Sequence, residues 1–311
     1  MASSPALVEI PSSATAEQGK RKTPLWRSRE AIAAYLFILP YVVFFTIFRI
    51  APALFGTALS LGKWSLSGSF KLTGFQNYER LFSDPLFWNA LRVTGLYAAI
   101  ALPLTVVLSL AMAQLINRRM RGISIYRSIF FLPVITSPVL SGIVFIWIFS
   151  TDGPINSGLR LFGVHVGSWL QSNALVLPAL AIVSAWMNFG YNMLILLAGM
   201  LAIPEEYYEA AQVDGTTPWQ RFWNITLPLL KPSLFFVLIL ETVKSFQTFD
   251  TIYVMTGGGP VRSSYTLTFM IYDQGFGYFD FGYASAAGVV LLIITLTFSL
   301  IQRRIVGKDA S

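Results

Sequence analysis

The sequence predicts an all-α integral membrane protein with six transmembrane helices. Only 12% of its 311 residues are charged, against roughly 25% in a soluble domain, so the chain cannot cover itself with polar surface. It is 55% hydrophobic with a mean hydropathy of +0.62. Six stretches reach the ~20 apolar residues that a helix needs to cross a bilayer. The formal charge of +7 lies in short runs beside those stretches. A nucleic-acid binder would gather it on one exposed face, so the partner read from composition is the lipid bilayer, not nucleic acid.

Taken in order, residues 1–30 read as a disordered tail. They are not a cleavable signal peptide, because the apolar run starts only after Arg29 and is too long for a signal core. The first span is placed at 31–55, and with the outer loop that follows it makes up residues 31–87. The remaining spans fall near 88–116, 125–149, 174–202, 229–250 and 283–302, and residues 305–311 form a second tail. Pro103, Pro133 and Pro138 lie inside spans and are read as kinks, since neighbouring helices can satisfy the freed carbonyls.

Lysine and arginine set the orientation. With the N-terminus inside, 14 basic residues flank the inner ends and 7 the outer ends, with Lys244 within a span. Both termini are therefore expected in the cytoplasm, together with the loop 203–228. The outer loops 56–87, 150–173 and 251–282 offer no obvious extra domain.

Catalysis has little to draw on. Cysteine is absent and His165 is the single histidine, so disulfides, thiolate chemistry and Ser-His pairs are not expected, nor a metal site. A phosphate-binding P-loop needs Gly-Lys followed by Ser or Thr, and Gly-Lys at 19–20, 62–63 and 307–308 never is. The run Gly257-Gly258-Gly259-Pro260 reads as a turn on the outer side.

The loop EEYYEAAQVDGTTPWQRFWNITLP (205–228) interrupts the apolar pattern. Pro204 suits the first turn of a helix, and Glu205 and Glu206 suit its positive end. Gly215 supplies a left-handed stop. Thr217-Pro218-Trp219-Gln220 has capping-box spacing, with proline at the first helical position. Trp219, Phe222 and Trp223 share a face of the second helix. Local physics leaves two roles open, an interfacial amphipathic anchor and a protein-docking element.

Two spans carry polar groups. Glu241, Lys244, Ser245, Thr248 and Thr251 form one stripe on a helical projection of the fifth, and Glu241 and Lys244 can pair at i,i+3. Asp250 falls on another face, as a gate residue or a loop cap. The fourth span has Asn188, Tyr191 and Asn192 on a polar side. Ionisable groups in a span face a cavity or a partner. A substrate path and ordinary interhelical bonding both remain open for these positions.

Glu209-Ala210-Ala211, Gly215, Ile225 and Leu227-Pro228 stand at the spacing of the EAA loop, and the chain resembles the permease subunits of binding-protein-dependent carbohydrate ABC importers. GFQNYERLFSDPLFWNAL (74–91), YRSIFFLPVITSPVLSGIVFIWIF (126–149), FDTIYVMTGGGP (249–260) and FGYASA (281–286) extend the likeness. It implies a five-helix type I ABC-importer permease core of the MetI-like kind over 88–304. It implies a non-catalytic subunit of a bacterial cytoplasmic (inner) membrane. The seven EAA residues would contact a separate ATPase, which holds ATP and Mg, and this chain carries no cofactor. Implied partners are a second, related permease chain, two ABC ATPase subunits and an outside solute-binding protein. The implied cargo is a sugar or sugar derivative. The alternatives are glycerol phosphate or another small solute, and an ion-coupled secondary transporter.

Overall fold

In lipid every backbone polar group must be paired within the chain, so apolar stretches coil into helices. The computed structural model describes residues 29–64, 69–117 and 122–306. The two tails (1–28 and 307–311) and the basic run Arg118, Arg119 and Arg121 lie outside the described residues.

The chain divides into two units, residues 1–55 and 56–311. In the first, α1 (Arg29–Phe45) passes through a wide turn, Thr46–Ile50, into α2 (Ala51–Leu59). Tyr41 stacks on Phe45 and Phe44 on Phe48, one turn apart, at 5.8 and 6.0 Å between ring centres. These apolar side chains are exposed.

The second unit opens with an antiparallel hairpin, β1 (Gly62–Trp64) and β2 (Phe70–Leu72), in which Gly62 faces Leu72. The all-helical reading missed this hairpin. Helix α3 (Gln76–Ser83) follows, and Asn77 donates to the carbonyls of Ser60 and Gly62, each at 2.9 Å. Helix α4 (Pro85–Ile116) is started by Asp84, whose carboxylate accepts from the Leu86 N–H at 2.8 Å, and runs unbroken through Pro103.

The third span departs from expectation. Helix α5 (Ile123–Phe131) tightens into a 3₁₀ turn, Leu132–Ile135, and α6 (Pro138–Ile148) leaves at 96°. This is a break, not a kink. Pro138 holds Ser137 extended (ψ 133°), and Thr136 is extended as well (ψ 144°). Two consecutive non-helical residues interrupt the hydrogen-bond ladder.

Helix α7 (Pro154–Arg160) lies in the next loop, and α8 (Val176–Leu201) is continuous. The loop after it forms α9 (Glu205–Val213), α10 (Pro218–Arg221), a wide turn Phe222–Thr226 and α11 (Leu227–Leu229). Residues 218–229 meet α12 (Lys231–Phe246) at a 70° bend. Helices α13 (Asp250–Met255), α14 (Leu267–Tyr272) and α15 (Phe281–Val306) complete the chain.

Helices α4 and α8 form the spine of this unit, with two apolar clusters along it. One gathers Tyr97, Phe149, Leu180 and Tyr283; the other gathers Ile116, Met193, Leu230 and Val237. Gly190 lets α8 approach the broken span, because a Cβ there would overlap the Phe130 carbonyl and the Phe131 backbone. Gly190→Val is therefore expected to destabilise the assembled protein by about 3 kcal/mol through overpacking against backbone. The midpoint of thermal unfolding in detergent checks this, and an unchanged midpoint would place the crossing elsewhere.

Two segments singled out in the sequence meet at the end of α15. Arg80 pairs with Asp280 at 2.5 Å and lies 4.2 Å over the Tyr283 ring. Tyr283 in turn donates to Asp84 at 2.5 Å. In the turn before α14, Tyr265 donates to Asp273 at 2.6 Å. Burial, and then that carboxylate, push its phenol above the ordinary range and keep it a donor.

Candidate functional site

The polar residues of α8 and α12 converge. Glu241 is 2% exposed and accepts a hydrogen bond from the Asn192 amide at 2.8 Å. Lys244, one turn later on α12, lies 3.4 Å from the same carboxylate. Its ammonium also donates to Asn188 at 3.0 Å and sits 5.2 Å from the centre of the Tyr191 ring. Asn188 is oriented by its amide, which donates to the Ser184 carbonyl one turn earlier at 2.9 Å. A carboxylate removed from solvent is tolerable only when paired and hydrogen-bonded, and Glu241 has both kinds of partner.

The cluster is graded from buried to open. Asn192 is fully buried and its carbonyl oxygen has no hydrogen-bond partner. The Lys244 side chain is 42% exposed and Tyr191 is 43% exposed. The site thus presents an ammonium, an amide and an aromatic face on one side, with its counter-charge held behind them. Neutral hydroxyls and anionic groups can both be bound by such a surface.

Five of the seven path candidates, Asn188, Tyr191, Asn192, Glu241 and Lys244, are brought together. The other two, Thr248 and Asp250, lie beyond the end of α12. The fifth span was expected to run to 250, with Thr248 continuing the stripe, but α12 ends at Phe246. The Gln247 N–H is shared between the carbonyls of Val243 and Lys244, which tightens the last turn, and Phe249 then leaves helical geometry (φ −138°). Thr248 still reaches the cluster's edge, donating to the Tyr97 hydroxyl at 3.5 Å. Asp250 is exposed in the first turn of α13, away from the pair. Tyr97 and Ser184 were missed. Ser184 precedes Asn188 by four residues on one face of α8, so the helical period points to it. Tyr97 lies on α4 among buried Thr94, Thr105 and Ser109, whose hydroxyls bond to their own helix, so nothing in the sequence singles it out.

The loop between α8 and α12 is built from local signals. Gly215 ends α9 in the left-handed region (φ +75°), with its N–H bonded to the Gln212 carbonyl at 3.0 Å. Thr216 closes the turn through its N–H and its hydroxyl, both donating to the Ala211 carbonyl at 3.0 and 2.6 Å. Thr217 and Gln220 form the reciprocal capping box around Pro218. Tyr208 of α9 and Thr226 share a hydrogen bond of 3.0 Å, which braces the two arms. Trp219, Phe222 and Trp223 pack ring to ring at 5.5 to 6.1 Å.

Among the seven EAA positions, Ala211 is buried, and Ile225 and Leu227 are half-buried. Glu209, Ala210, Gly215 and Pro228 are exposed, as are Tyr207 and Val213. The result is a bent bracket whose exposed face mixes small residues with Tyr207, Glu209 and Val213.

His165 sits in an exposed loop 3.2 Å from the Gly163 carbonyl. Gly257 and Gly258 form the expected turn with φ of +55° and +83°. Among the described residues no cluster of three or more His, Cys, Asp or Glu is placed to hold a metal ion.

Residues 105–308 match the family described as "Binding-protein-dependent transport system inner membrane component". The chain is 32% identical over 282 residues to the sn-glycerol-3-phosphate transport system permease protein UgpA of Agrobacterium fabrum, covering 89% of this chain and 95% of the relative. It is also 32% identical over 280 residues to the lactose transport system permease protein LacF of Rhizobium radiobacter, covering 87% and 93%. In fold it resembles a chain of a bacterial alginate ABC transporter solved in complex with an alginate pentasaccharide-bound periplasmic protein. That match has a TM-score of 0.78 at 22% identity, over 90% of this chain and 96% of the other. Membership in the family removes the ion-coupled alternative. The chain belongs to the binding-protein-dependent transport system inner membrane components: it is a multi-pass, non-catalytic permease subunit of an ABC importer, with no cofactor of its own.

Proposed function

We propose that this permease forms half of the translocation path for a sugar or sugar derivative, with glycerol phosphate as the alternative cargo, and couples it to a separate ATPase through residues 203–228. The observation that carries the cargo reading is the convergence of Asn188, Tyr191, Asn192, Glu241 and Lys244 from two helices. Sugars are held by hydrogen bonds to hydroxyls and by contact with aromatic faces, and these residues supply both. Relatives that import lactose and sn-glycerol-3-phosphate support the same class.

The EAA bracket supports the coupling half. Its exposed face, with Glu209, Ala210 and Gly215, suits insertion into a cleft of a cytoplasmic ATPase that binds ATP and Mg. The working complex is this chain, a second related permease, two ATPase subunits and an extracytoplasmic solute-binding protein. The distribution of Lys and Arg supports cytoplasmic termini and a cytoplasmic bracket. Transport is alternating access: ATPase closure pulls the bracket, the bracket moves α12 through the bend at Leu230, and the path opens outward to the loaded binding protein.

Asn188→Ala and Asn192→Ala are expected to reduce uptake of the cognate solute about tenfold, as loss of a charge-assisted hydrogen bond does. Radiolabelled uptake with the intact complex, confirmed by co-purification, measures this. Unchanged uptake and unchanged specificity in both variants would remove the cluster from the path.

A further inference from the structure

A cleft between the bracket and the bundle has a chemistry that the transport reading does not use. It encloses about 660 Å³, within the ~300–1,000 Å³ typical of small-molecule sites. Gln114 and Asn117 line it from the end of α4, Arg127 from α5, and Arg221 from α10. Among the described residues, Glu205 is the one acid in its wall, against two guanidiniums.

The Nε of Arg127 is buried with no hydrogen-bond partner. Neither arginine pairs with an acid among the described residues. A guanidinium remains charged and offers a planar fork of donors that matches phosphate oxygens. A buried charged donor left unpaired is unfavourable, so the cleft favours a ligand that supplies acceptors.

We propose that this cleft binds a phosphate-bearing anion, clamped by Arg127 and Arg221, with the side-chain amides of Gln114 and Asn117 as neutral donors. The cleft lies where the spanning helices α4 and α8 end. On the topology proposed above, on which this inference rests, that is the cytoplasmic leaflet. Basic pockets between helices on that side collect anionic headgroups. The shared chemistry is a phosphate ester or free phosphate. Because one clamp belongs to the broken span and the other to the bracket, a bound anion ties the two together and stiffens the lever.

The test uses the full transporter complex in nanodiscs. In phosphatidylcholine discs doped with phosphatidylglycerol, native mass spectrometry is expected to find phosphatidylglycerol retained on the permease. Arg127→Gln and Arg221→Gln each lower that retention about tenfold or more, and the lysine variants fall between. In pure phosphatidylcholine discs, inorganic phosphate that raises the unfolding midpoint by about 2 °C or more in wild type alone would assign a soluble anion instead. Retention that is equal in wild type and both glutamine variants, with no phosphate effect, overturns the site. Labelling of Trp223→Cys by an impermeant thiol reagent separates the two premises. Reaction only from the outside overturns the topology, and reaction from the inside without any anion effect overturns the cleft alone.

Discussion

Gly215→Asp is expected to cut ATP-driven uptake more than about thirtyfold, the loss that about 2 kcal/mol of docking energy gives, while the chain still inserts. Gly215 has a φ of +75°, a region that costs an L residue roughly 1–2 kcal/mol. Nothing lies within 4 Å of a Cβ at this position, so the backbone strain is the only cost within the bracket. The bracket therefore survives the change, held by its capping box and by the Tyr208–Thr226 bond. What changes is the exposed turn, which gains a carboxylate beside Asp214 at the surface proposed to enter the ATPase. Gly215→Asn tolerates the same backbone without the charge and should retain most of the activity. Uptake and ATPase co-purification, compared between the two variants, separate charge from backbone. Equal uptake in Gly215→Asp and wild type would detach this turn from coupling.

Glu241→Ala should be among the most damaging changes within the bundle. It leaves the Asn192 amide without its acceptor and Lys244 without its counter-charge. Breaking a fully buried pair costs about 3–5 kcal/mol. Lys244 is 42% exposed, so solvent screening lowers the expected loss to about 2–3 kcal/mol. Glu241→Gln keeps an acceptor and should recover part of it. In a double-mutant cycle with Lys244→Ala, the two losses should be non-additive by about 1 kcal/mol or more, as expected of residues in contact. Thermal unfolding of the purified complex reports all four states. Additivity within about 0.5 kcal/mol would mean that the two residues act independently.

The bracket was legible residue by residue because its signals are local. A glycine stop and a Thr-to-Gln cap each act within four residues of themselves, and both are found where the sequence places them, while Pro204 stands one position before α9 with an extended backbone (ψ 136°) rather than in its first turn. The polar cluster was half legible. Periodicity shows that Asn188 and Asn192 share a face, and that Glu241 and Lys244 do, but it carries no information on which face meets which. The end of α12 was hidden for another reason. No glycine or proline stands immediately after Phe246; the turn is made by the shared Gln247 N–H and by the Thr268 hydroxyl, remote in sequence, which donates to the Phe246 carbonyl at 3.2 Å. The hairpin was invisible because three residues per strand give too little alternation to register. The 96° break needed the cooperation of Pro133 and Pro138 across an extended pair, where each proline alone suggests only a kink.

The most direct measurement of the coupling claim uses a single thiol in a chain that has none. Val213 is 89% exposed on α9, so Val213→Cys places a reactive group on the proposed docking face. An impermeant maleimide should modify it in inside-out vesicles and not in intact cells, and bound ATPase should protect it. Modification from the cell exterior, or equal reactivity with and without the ATPase, would contradict the account.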